Sequence, residues 1–140
     1  MKNSLKMNEK ASRFLVENIK TDLGINENQR ITLNVGGLKH EASIRMLNKI
    51  PSSRLGKLIG ASTREELSSI CDDHNLDKLE FYFDRDPTLF NYILNYYRSG
   101  HLHISDAFCP VVLQHELIYW KIPHPKMDIC CEEKVKNNLF

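Results

Sequence analysis

Four side chains in the last third of the sequence carry donors that a soft or borderline metal ion would take: His103, Cys109, Cys130 and Cys131. They stand as His, five residues, Cys, twenty residues, Cys-Cys. Tetrahedral zinc takes four ligands of this kind, with thiolates at about 2.3 Å and an imidazole at about 2.0 Å. Four protein ligands leave no place for water, so such a centre is structural and not catalytic. The adjacent thiols differ from a common finger, in which two to four residues separate the paired cysteines. A second reading stands beside the first: Cys109 and Cys131 as small buried hydrophobes, Cys130 as an exposed thiol, His103 as a residue at a strand edge. A disulfide between neighbours would be strained and suits the wrong compartment. Cys71 falls outside the spacing and reads as core.

Other constellations carry less chemistry. Gly36-Gly37 lacks the three spaced glycines of a dinucleotide fingerprint and the Gly-Lys-Ser/Thr ending of a phosphate loop, so it reads as a tight turn. Asp72-Asp73-His74 and Asp84-Arg85-Asp86 bring carboxylates together, but no nucleophile with an oriented base accompanies them. They read as loop caps and surface ion pairs. Phe90, Tyr92, Tyr96 and Tyr97 would stack bases only if cations interleaved them, and Arg98 stands nearly alone, so they read as packing.

Positioning these residues falls to a single domain, since 140 residues suit one core that buries roughly two-thirds of the unfolded surface. Lys and Arg number 19 against 18 Asp and Glu, a net charge of +1. No global field draws the chain to nucleic acid or anionic lipid. The longest apolar run, 108–113, is far short of the roughly 18 residues of a membrane span, and the polar start does not suit a signal peptide. These features predict a soluble, unexported chain with mostly reduced cysteines.

Residues 1–29 are mostly polar and read as a flexible segment, with Phe14, Leu15, Ile19 and Leu23 at helical spacing. Gly24, Asn26 and Asn28 break it before a compact domain, 30–140. Ile31, Leu33 and Val35 alternate with Thr32 and Asn34 as a half-buried strand, and Leu38 to Ser43 return after the glycine turn. Ile44, Leu47 and Ile50 predict a helix stopped by Pro51, and Ser52 or Ser53 caps the next, carrying Leu55, Leu58 and Ile59. Arg64 to Ser69 reads as charged and exposed. Leu79 to Phe83 is a strand with Phe81 and Phe83 on one side. Asp86 caps a helix with Pro87 in its first turn and Leu89, Phe90, Ile93, Leu94 and Tyr97 on its apolar stripe, ending at Gly100. Leu102 to Ile104 is a short strand, and Asp106 opens a helix through Val112, Leu113, Leu117 and Trp120. Pro123 and Pro125 end it, and 126–139 is a final helix holding the cysteine pair. Early strands and later helices make an α+β order.

Three motifs in this order resemble the T1 tetramerisation domain of voltage-gated potassium channels, a branch of the BTB/POZ fold. They are Asn34-Val35-Gly36-Gly37; Phe81-Tyr82-Phe83-Asp84-Arg85-Asp86-Pro87; and Ile93 to His103. The resemblance runs from Arg30 to Glu133. With Cys71-Asp72-Asp73 and Glu116-Leu117-Ile118-Tyr119-Trp120, it is nearest the Shab group or the silent subunits related to it. Shab, Shaw and Shal types carry the same histidine-to-cysteine spacing, which Shaker types lack. The resemblance implies zinc between neighbouring subunits, with His103, Cys130 and Cys131 from one chain and Cys109 from the next. Residues 122–129 depart from the family pattern through their two prolines, which makes His124 a competing donor.

What the resemblance implies is a fourfold ring on the cytoplasmic face of the plasma membrane, built from identical chains or from related channel subunits. The remainder of the channel would lie in the membrane. No catalysis, nucleic acid or small-molecule substrate belongs to that role. The alternative is a BTB/POZ adaptor that recruits a ubiquitin ligase or another protein, a role that shares the fold.

Overall fold

The computed structural model describes residues 20–21, 24–25, 27–103 and 109–123. Two short strands, β1 (Lys20–Thr21) and β2 (Gly24–Ile25), pair antiparallel. The main sheet takes β3 (Arg30–Val35), β4 (Leu38–Ser43), β5 (Asp73–Asn75) and β6 (Glu80–Phe83) in the order β4-β3-β6-β5. Three helices lie between β4 and β5: α1 (Ile44–Leu47), α2 (Arg54–Gly60) and α3 (Arg64–Ile70). Following β6 come α4 (Pro87–Ser99) and α5 (Pro110–Tyr119). This is the expected α+β arrangement.

The strand alternation is realised residue by residue. Ile31, Leu33, Val35, Phe81 and Phe83 are all buried, while Thr32, Asn34 and Tyr82 lie on the opposite face, only partly covered. β3 pairs antiparallel with β4 and parallel with β6, where Leu33 stands beside Phe81 and Val35 beside Phe83. A parallel pair cannot be joined by a tight turn, so the three helices form the crossover and cover the core face. The glycine turn has a second duty. Gly36 sits at φ +59, its N–H donates to the Phe83 carbonyl at 2.9 Å, and a Cβ there would collide with the Arg85 carbonyl. Only glycine meets both the left-handed backbone and the close approach.

Helix starts follow the expected chemistry. Ser53 accepts from the Gly56 N–H at 3.1 Å, and Asp86 accepts from Thr88 at 2.8 Å and Leu89 at 3.2 Å, with Pro87 in the first turn. Gly100, at φ 78, ends α4. The Arg64 to Ser69 stretch, expected as charged and exposed, is exposed apart from Leu67 and is also helical. Thr63 caps it by accepting from Glu66 N–H at 3.1 Å, and Glu66 reaches back to the Ser62 N–H at 2.9 Å. Leu67 alone in that helix is buried, which explains the missing apolar stripe. β5 is a second addition, a polar edge strand with no alternation to betray it. Ahead of the expected domain start at Arg30, the Gln29 and Glu27 carbonyls accept from Ile44 and Arg45 N–H at 2.9 Å each. Phe14, Leu15, Ile19 and Leu23, the final helix over 126–139, and the start proposed at Asp106 lie outside the described residues. α5 is described from Pro110.

Tyr97 lies at the bottom of the core, 1% exposed, against the buried hydroxyl of Ser53. Ser53 Oγ donates to the Ile50 carbonyl at 2.6 Å, which leaves it to accept from both Gly56 N–H and the Tyr97 phenol. Burial pushes the phenol from 10.0 up to about 12. A raised value means that the folded state holds this proton more tightly than the unfolded chain. The associated stability is complete below about pH 10 and is lost as pH climbs toward about 12. Tyr97→Phe should therefore flatten the decline of the denaturant midpoint over that alkaline window, read by urea unfolding at a series of pH values.

Candidate functional site

Two of the four proposed metal donors fall among the described residues. Cys109 is exposed and occupies the N-cap position of α5. Its carbonyl accepts from Val112 at 3.1 Å and Leu113 at 3.2 Å, while its thiol makes no capping bond. Pro110 fixes the first turn behind it. His103 is also exposed, one residue after the buried Leu102 that anchors this stretch to the core. Cys130, Cys131 and the competing donor His124 lie outside the described residues. Within one chain, no group of three or more His, Cys, Asp or Glu side chains is placed to hold a metal ion, among the described residues.

The readings of Cys109 as a buried hydrophobe and of Cys71 as core separate cleanly. Cys71 is 3% exposed, its thiol donates to the Leu67 carbonyl at 3.2 Å, and burial raises it from 9.0 to about 11. Cys109 faces solvent. A metal site shared between copies requires donors on the surface, and the two described donors meet that requirement.

The element that displays Cys109 is held by an ion pair that the sequence reading did not single out. Glu116 is 5% exposed, and its carboxylate accepts from Arg85 Nη2 at 2.7 Å and Nε at 3.4 Å. It also accepts from the Trp120 indole N–H at 3.0 Å. Trp120 is fully buried against Phe83 and Phe90 at centroid distances of 4.9 and 4.7 Å. The Tyr119 ring is flanked by two guanidinium groups, Arg54 at 4.1 Å and Arg85 at 4.3 Å. Arg54 fastens α2 to this corner by donating to the Tyr119 carbonyl at 2.7 Å and the Ile70 carbonyl at 2.8 Å. A sequence signal existed: Leu113, Glu116, Leu117 and Trp120 share the i, i+3, i+4, i+7 face, which puts the carboxylate inside the apolar stripe.

That phase turns the other side of α5 outward. Val112, expected on the buried stripe, is 43% exposed, and Val111 and Ile118 are 41% and 66% exposed. An exposed thiol and an apolar row thus share one helix.

Residues 31–130 match the BTB/POZ domain family, and the chain belongs to that family. It is similar to potassium channel proteins within it. It is 37% identical over 108 residues to the delayed-rectifier potassium channel regulatory subunit KCNS3 of Rattus norvegicus, covering 77% of this chain and 22% of that protein. The corresponding KCNS1 protein of Pan troglodytes is 37% identical over 106 residues, covering 76% of this chain and 20% of that protein. KCNS2 of Mus musculus is 39% identical over 105 residues, covering 75% and 22%. The chain therefore spans about a fifth of the length of the curated relatives it matches. Among the described residues, no helix is long and apolar enough to cross a membrane.

Two measurements test this geometry. Glu116→Gln leaves the Arg85 charge without its counter-charge, and the Arg85 side chain is 31% exposed. The loss should be about 2 to 3 kcal/mol of unfolding free energy, below the range for a fully buried pair because water reaches the guanidinium. Alkylation of the metal-free folded chain at about pH 8 should label Cys109 rapidly and Cys71 only after unfolding, read by peptide mass.

Proposed function

We propose that this chain is the T1-type assembly domain of a voltage-gated potassium channel subunit, nearest the Shab type or the silent subunits related to it. It forms a ring of four on the cytoplasmic side of the membrane and decides which subunits combine. The observation that carries this reading is the likeness, across most of the chain, to proteins named as potassium channel regulatory subunits. That likeness favours a channel role over the adaptor role that the BTB/POZ fold would also permit. The chain acts by binding its own kind or related subunits and performs no catalysis.

A closed ring of identical chains uses two different surfaces on each subunit, related by a fourfold rotation. The outward row Val111, Val112 and Ile118 supports α5 as part of such a surface, since a lone apolar row in water is a cost that a partner removes. Discrimination between partners would come from polar pairs, because a mismatched neighbour leaves buried groups unpaired. His103, Cys130 and Cys131 of one copy, with Cys109 of the next, would supply the three thiolates and one imidazole of a closed tetrahedral zinc site. Bound there, zinc would act as a structural link between copies.

Leu33, Val35, Phe81, Phe83, Phe90 and Trp120 already pack together among the described residues of one chain, so metal is expected to join subunits without being needed to fold them. Light scattering of the purified chain should give the mass of four chains with zinc and of folded monomers after chelation. Acid should act in the same direction, because the thiols and imidazole must be deprotonated to bind. Cys109→Ala and Cys131→Ala should each block assembly, and mixing the two variants should restore only those interfaces that combine an intact Cys109 with an intact set on the neighbour. A particle that stays at four chains after the metal is stripped, or a chain that unfolds when it leaves, refutes the interfacial role. A monomer with zinc present refutes self-assembly, and a five-membered particle refutes the fourfold ring in favour of the adaptor role.

A further inference from the structure

Away from α5's outward face, an open cavity of about 580 Å³ lies between α2, α3 and the turn that ends α5. That volume is in the range of small-ligand sites. Its wall carries three cations, Arg54, Lys57 and Lys121, and one acid, Glu66, with Asn48 and Ser69 adding neutral polar groups. The Glu66 carboxylate is turned to Ser62, accepting from its N–H at 2.9 Å and its hydroxyl at 3.4 Å.

The position of Lys121 is unfavourable for the free chain on two counts. α5 ends in a Schellman turn, with Ile122 N–H donating to Leu117 at 3.0 Å and Lys121 N–H to Ile118 at 3.1 Å. Lys121 therefore takes the left-handed position, φ 53, where glycine is the common residue. A side chain there costs about 1 kcal/mol. The neighbouring Lys57 ammonium is also the main cause lowering the Lys121 pKa, which marks direct like-charge repulsion. An anion seated between the Lys57 and Lys121 ammoniums would relieve their repulsion.

We propose that this cavity is a binding site for a compact phosphate-bearing anion. Two ammoniums at the wall of a concave volume suit a small group of high charge, and Arg54, whose Nε and Nη1 are held by the Tyr119 and Ile70 carbonyls, adds its positive charge to the same wall. The attraction is local, since the chain as a whole is close to neutral at +1. A soluble phosphate ester and a phosphorylated lipid headgroup present the same chemistry.

Inorganic pyrophosphate is the first probe, titrated calorimetrically into the metal-free full chain because pyrophosphate itself chelates zinc. One equivalent should bind per chain. Lys57→Gln and Lys121→Gln should each weaken binding about threefold, and the pair about tenfold. Lys39→Gln, on the far edge of the sheet beside Glu80, should leave it unchanged. Lys121→Gly separates the two costs: it should raise the thermal midpoint while losing affinity. Co-sedimentation with phosphatidylcholine vesicles, plain or containing a polyphosphoinositide, then identifies the source. Retention on the phosphoinositide vesicles alone, lost in the double variant, assigns a lipid headgroup, and pyrophosphate binding without retention assigns a soluble ligand. The proposal is overturned if pyrophosphate does not bind, if Lys39→Gln weakens it as much as the cavity variants, or if a polyglutamate peptide binds more tightly than pyrophosphate, which would make the surface a protein contact. Because binding is read per chain on the metal-free protein, its failure would leave the assembly reading untouched, and the reverse holds as well.

Discussion

A single buried carboxylate governs where the C-terminal part of the described chain sits. Glu116 needs a positive partner because an ion in an apolar setting is costly when left alone. Arg85 can supply that partner only if the loop after β6 is held against α5, and Gly36 permits the loop to come close by lacking a side chain. Trp120 donates to the same carboxylate and then fills the space between Phe83 and Phe90. Sheet, α4 and α5 are thus fixed to one another by one charge and one indole. The arrangement contributes orientation at least as much as stability, since a buried ion pair is often no stronger than an apolar replacement.

The orientation has a direct result on the surface. With Glu116, Leu117 and Trp120 turned inward, Val111, Val112 and Ile118 must face out. Cys109 is displayed at the head of the same helix. What a partner would meet is therefore determined by what the core demands of the opposite face.

Much of this was legible in the sequence, and the failures share a cause. The β3 alternation, the glycine turn, the Asp86-Pro87 start and the Gly100 stop are local signals with local causes, and each appears as expected. α3 escaped notice because a helix that buries only Leu67 has no stripe, although Thr63 and Glu66 carried a capping signal. β5 escaped because polar edge strands do not alternate. Glu116 was read as part of a motif and not as a buried charge, since its partner lies 31 residues away and no local pattern joins them. The types and spacing of His103, Cys109, Cys130 and Cys131 were equally plain, but spacing along a chain does not say whether the donors converge within one copy or between two.

The parallel pairing of β3 with β6 also sets an order of events during synthesis. β4 follows β3 by a two-residue turn, so that hairpin can close as soon as it leaves the ribosome. The other edge of β3 must wait for β6, about fifty residues later. For several seconds of elongation, at roughly 5 to 20 residues per second, the nascent hairpin presents Ile31, Leu33 and Val35 beside an unpaired backbone edge. Among many ribosomes translating one message, neighbouring nascent chains would offer one another the same edge, a hazard of misassociation that ends only when β6 emerges to occupy it.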